Sequence, residues 1–189
     1  ALIYLFAFML HPLAHAHPAQ GFDHGLMYGF MHPILGWDLL LVLVAVGVWA
    51  ARQGGKVRWQ LPLAFLSAMT LGAILGLVGM SFQGVETAIA ASLMAMGLLL
   101  MLHLPLSRGV RVAFVAIFAT AHGLAHGVEL NQGAWQGNVS PLMGMLTATA
   151  ILHGVGYGLG TQQHKLLQWS QALLAGAMLG LGANLFFSV

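Results

Sequence analysis

Apolar residues run almost unbroken through this chain, and short polar stretches cut the run into pieces of membrane-crossing length. Six such pieces stand out, over 22–51, 60–80, 85–104, 109–128, 139–160 and 166–188. Each supplies the ~20 residues that a bilayer-spanning helix needs. The separators carry breakers: Gly54 and Gly55 in "ARQGGKVRWQ", Gly84 after "SFQ", and Pro105 and Gly109 around "LPLSRG". "ELNQGAWQGNVSP" is the one long polar loop, and "TQQHK" closes the set. Lipid leaves every backbone N–H and C=O to be paired within its own segment, so runs of this length predict helices. They are not the ten-residue alternating segments of a barrel.

Ahead of these, residues 1–16, "ALIYLFAFMLHPLAHA", form an apolar core followed by the small-residue pattern Ala14-His15-Ala16. That is an export-signal-like segment, either removed or retained as a hydrophobic anchor. The expected fold class is therefore all-α, a polytopic integral membrane bundle of six transmembrane helices in one domain over 17–189, plus the signal-like N-terminal segment.

Composition agrees with the pattern. The chain has 189 residues, of which 59% are hydrophobic and only 5% charged; soluble domains carry about 25% charged residues. Cysteine is absent, which removes disulfides, thiolate metal sites and iron–sulfur clusters. No basic stretch points to nucleic acid, and no Ser or Thr stands in a recognisable nucleophile motif, so an enzyme is not expected.

Charge sets an expected orientation. Arg52, Lys56, Arg58, Arg108, Arg111 and Lys165 all fall on one side of the six-span arrangement. The positive-inside rule makes that side cytoplasmic in a bacterial-type inner membrane, with both ends of the six-helix unit outside. Asp23, Glu86 and Glu129 then lie at outer ends of spans.

Ten histidines outnumber the six Lys and Arg and the four Asp and Glu, and several stand inside spans. "HPILGWDLLLVLVAVGVWAA" opens with His32 and carries Asp38 six residues on. An acid at the centre of a membrane helix costs roughly 2.5–3.5 kcal/mol on insertion scales. Pro33 removes a backbone donor and Gly36 loosens the helix, so a kink or break is expected between His32 and Asp38. "FATAHGLAHGVEL" sets His122, His126 and Glu129 four and then three residues apart, on one helical face. Gly123 and Gly127 beside them allow close helix approach. "TATAILHGVGYGLG" adds His153, with glycines at 154, 156, 158 and 160 predicting a tight packing face.

Counting at ~1.5 Å per residue, Asp23, His24 and Glu129 fall near the outer surface and His126 and His122 successively deeper. His32 and His153 fall near the middle, and Asp38 deeper still. Such an order reads as a cation route, with His17, Asp23 and His24 as candidate metal-entrance residues. The same groups could instead hydrogen-bond helix to helix. Imidazole with some carboxylate suits Ni²⁺, Co²⁺, Zn²⁺ or Cu²⁺ and poorly suits Ca²⁺ or Mg²⁺.

At these three segments the chain resembles the HupE/UreJ family of hydrogenase and urease accessory membrane proteins, regarded as nickel or cobalt permeases. The resemblance implies that the family motif HPxxGxDH lies on His32, Pro33, Gly36 and Asp38, and HGHAHGxE on His122, His126 and Glu129. Leu39 and Leu124 stand where the family commonly has histidine. The function implied is a permease for Ni²⁺, or Co²⁺, supplying metalloenzyme maturation, with His32, Asp38, His122, His126, Glu129 and His153 as ligands. No tightly bound cofactor is expected, the metal being the transported ion. The lipid bilayer and that ion are the implied partners, a larger membrane complex or a homo-oligomer being left open. Two rivals differ in class. One is a non-transporting structural subunit of a larger membrane complex. The other is a haem b protein ligated by paired histidines.

Overall fold

The computed structural model describes residues 25–102, 104–132, 139–162 and 165–188, and these contain seven helices and no strand. They are α1 (Leu26–Leu35), α2 (Trp37–Ala51), α3 (Val57–Leu77), α4 (Val85–Leu102), α5 (Arg108–Gln132), α6 (Ser140–Thr161) and α7 (Lys165–Ser188). The export-signal-like segment 1–16 and the candidate entrance residues His17, Asp23 and His24 lie outside the described residues.

Five helices, α3 to α7, are long and apolar enough to cross a membrane, and α1 with α2 makes a sixth if counted as one broken span. This is a polytopic membrane helix bundle. The expected break is present and is far larger than a kink. Gly36 adopts extended backbone (φ −81°, ψ 107°), ending α1 and starting α2, and the two helices meet at 82°. Pro33, inside α1, leaves the helical ladder one bond short, and the helical backbone ends three residues on at Gly36, a poor helix former. The 15 residues of α2 reach only about 22 Å by themselves.

α2 sits at the centre. Leu39, Val42, Leu43 and all of Ala45–Ala50 are buried, against α6 above all and also against α1, α3, α4 and α7. A helix apolar on every side belongs inside, and that is where it lies. The outer helices turn Leu63, Leu71, Ile117, Ile151, Val155 and Leu173 outward, which in a bilayer is contact with acyl chains rather than a defect.

Two glycine seams fix the packing. Gly72 and Gly76 of α3 meet the α5 backbone from Thr120 to Val128, and Gly123 and Gly127 of α5 meet the α3 backbone at Met69 and Ala73. Any Cβ at these four positions would strike main chain. The reciprocal small-xxx-small pairs make α3–α5 the most extensive contact of the bundle. Along α2–α6, Gly47 and Gly156 do the same. Of the four glycines expected to form a packing face on α6, only Gly156 and Gly160 do so; a Cβ at Gly154 or Gly158 would meet nothing. Two residues advance a helix by about 200°, so alternate glycines face opposite ways.

Candidate metal centre

The α5 seam buries Gly123 and Gly127 against α3 and thereby fixes where the adjacent histidines point. His126 reaches away from α3 to α1, where its Nδ1 lies 2.8 Å from His32 Nε2. The rings meet edge to face, 4.6 Å between centroids at 82°. Glu129, one turn on, brings Oε2 to 3.5 Å from His32 Nε2 and 3.6 Å from His126 Nδ1. Tyr28 stands one turn before His32, its ring 6.2 Å from the imidazole.

The three ligand atoms lie within 4.8 Å of one another. Their separations place the point equidistant from all three about 1.9 Å from each, and metal bonds to imidazole and carboxylate run ~2.0–2.2 Å. By distance an ion seated slightly out of the ligand plane would reach all three, displacing the proton that the His32–His126 hydrogen bond holds between the two nitrogens. Two neutral nitrogens and a carboxylate oxygen are a donor set for Ni²⁺, Co²⁺, Zn²⁺ or Cu²⁺. A haem iron between two imidazoles would need their nitrogens about 4 Å apart, twice an ordinary metal–imidazole bond, and the His32–His126 contact is 2.8 Å.

His122 turns elsewhere. It is fully buried, and Nε2 lies 2.9 Å from Ser92 Oγ on α4, while Nδ1 has no hydrogen-bond partner. His126 Nε2 is likewise buried and unpartnered. A buried polar atom left unsatisfied costs about 1–3 kcal/mol. Asp38 stands in the first turn of α2, where free amide N–H groups favour an acid. Asp38 does not belong to the three-atom cluster.

His153 is apart from both. It is 3% exposed and packs its ring against Phe65 of α3, 5.0 Å between centroids. Neither nitrogen has a hydrogen-bond partner. Residue counting sets His32 at the depth of His153, but the bend at Gly36 swings α1 aside and leaves His32 beside Glu129 and His126.

Exposure is graded along the set: side chains are 41% exposed at Glu129, 15% at His32 and 11% at His126, and His122 is closed off entirely. Sequence reasoning missed Ser92 and Tyr28. A serine inside "TAIAASLMAMG" is a polar atom in an apolar run, which was the available signal. Leu39, where the resemblance expects histidine, is 1% exposed within the apolar core. Leu124 lends its backbone to the α3–α5 seam.

The sequence pattern of the HupE / UreJ protein family matches residues 5–185. A curated relative, Protein HupE of Rhizobium leguminosarum bv. viciae, is 40% identical over 157 residues, which are 83% of this chain and 81% of that protein. No solved structure matches the chain.

Proposed function

The chain belongs to the HupE / UreJ protein family, and on that premise we propose that it is a membrane permease for Ni²⁺, with Co²⁺ as second cargo, supplying metalloenzyme maturation. The observation that carries the reading is the meeting of His32, His126 and Glu129 at metal-ligand spacing, at the open end of a series whose exposure falls to zero at His122.

In this reading Glu129 draws the hydrated cation to the mouth, and His32 with His126 replaces part of its water shell. His122 and Asp38 take it inward, and His153 lies beyond. Each station offers few ligands, which keeps binding weak enough for the ion to leave. A metal cannot share an imidazole lone pair with a proton, so loading releases or awaits protons. The sequence holds no GxxxxGK[ST] phosphate loop, so the driving force is a gradient or a partner. The Lys- and Arg-bearing loops face the cytoplasm, and Glu129 faces outward across a bacterial-type inner membrane.

Cells expressing the chain should accumulate radioactive nickel, and His32→Ala with His126→Ala should remove the gain. Equal accumulation by wild type and double variant would overturn this ligand set. The second reading, a non-transporting subunit of a larger membrane complex, is favoured by Leu39, whose position is given over to core packing. It requires a stoichiometric partner after mild-detergent purification and no bound metal.

A further inference from the structure

Ser92 is 2% exposed in the middle of α4, and its hydroxyl makes two contacts, 2.6 Å to the carbonyl oxygen of Ile89 and 2.9 Å to His122 Nε2. A hydroxyl has one hydrogen. The Ile89 carbonyl can only accept, so Ser92 donates to it and offers a lone pair to the imidazole. His122 must therefore donate from Nε2–H. In a neutral ring the other nitrogen is then bare, and His122 Nδ1 is the buried atom with no hydrogen-bond partner.

We propose that Ser92 is a positioning residue that holds His122 as the Nε2–H tautomer and so aims Nδ1 as donor atom of a second, inner cation station. This station lies one helical turn from the cluster of His32, His126 and Glu129. The occupant is a transition-metal dication, since a bare, neutral imidazole nitrogen is a borderline donor. The logic is that of a metal-binding histidine whose far N–H is anchored by an outer partner, which fixes tautomer and ring orientation. Its purpose rests on the permease reading; its geometry does not.

The test is nitrogen NMR of the purified full chain, ¹⁵N-labelled at histidine, in lipid nanodiscs at about pH 8, above the ordinary imidazole pKa of ~6.5. The His122 resonances are those lost in His122→Gln. Wild type should show His122 with Nδ1 unprotonated and Nε2 protonated, and titration with Zn²⁺ alone should move the Nδ1 signal. Ser92→Ala should mix the tautomers and weaken the Zn²⁺ response at His122 about tenfold, the lower end of outer-partner losses. Ser92→Thr keeps the hydroxyl and should restore both.

A wild-type spectrum with the proton on Nδ1 overturns the proposal, and it decides the tautomer even if a variant fails to fold. So does a Ser92→Ala protein with unchanged tautomer and Zn²⁺ midpoint. Nickel uptake separates the two readings. No uptake by a wild type whose bare Nδ1 still answers Zn²⁺ sinks the permease and retains the station. Uptake by a protein with Nδ1 protonated does the reverse.

Discussion

Both ends of this bundle hold a knot of polar side chains, and the two are built on opposite terms. At one end Arg52 donates through Nη1 to the carbonyl of Leu100, 2.8 Å, and through Nη2 to Gln171 Oε1, 2.5 Å. Gln171 passes the chain on to the carbonyl of Leu159, 3.0 Å. Gln53 joins Arg111 to the carbonyl of Trp49. Leu100 stands in the last turn of α4, where carbonyls lack intrahelical partners and favour a cation, and Leu159 in the last turn of α6 accepts from both Gln171 and Gln162. This knot therefore ties helix ends together, and most of its hydrogen-bonding capacity is spent. At the other end His32, His126 and Glu129 meet one another and His122 meets Ser92, while His126 Nε2 and His122 Nδ1 have no hydrogen-bond partner. The Arg knot leaves Arg111 Nε unpartnered and the histidine end leaves two imidazole nitrogens so, but a guanidinium can only donate, whereas an imidazole can offer a lone pair to a metal.

That contrast breaks if either end behaves as the other should. The largest effect is expected from His32→Ala with His126→Ala, which should cut nickel uptake by about 100-fold, the upper end of what lost metal-site support costs, and leave the melting temperature in detergent nearly unchanged. A large fall in melting temperature at full uptake would make the cluster structural. Next comes Arg52→Ala, which strips a donor from two buried acceptors and should cost about 1–3 kcal/mol of stability, read by thermal unfolding, with the KM for nickel unmoved. A KM that rises without loss of stability would put Arg52 on the ion route.

The smallest effect belongs to Glu129→Gln. Its carboxylate is 41% exposed, where water and salt screen charge. A KM raised about threefold at low ionic strength, fading in higher salt, is the expected signature. An effect as large as that of the histidine pair would make Glu129 a ligand on equal terms.

Much of this architecture could be read along the chain. The apolar runs gave helices within a few residues of α3 to α7, because a bilayer accepts little else of that length. Pro33 and Gly36 marked the break, as two residues that each remove something a helix requires. Spacing of four and three placed His122, His126 and Glu129 on one face of α5. Less legible was which neighbour each would meet. Four residues along a helix turn the side chain by about 40°, and here that small angle sends His126 to α1 and His122 to α4. The angle between α1 and α2 was equally hidden, since a break names a place and not a direction.

The sequence by itself determined a helical membrane protein, a broken first span and a shared face for its histidines, because helix period and the exclusion of water are local or nearly so. Only the tertiary structure decided that His32 joins His126 and Glu129, that Ser92 meets one nitrogen of His122, and that the other has no hydrogen-bond partner. Those outcomes depend on the 82° turn at Gly36 and on the glycine seam that sets the roll of α5. Both are settled by packing between segments distant in the chain, which no spacing within a segment encodes.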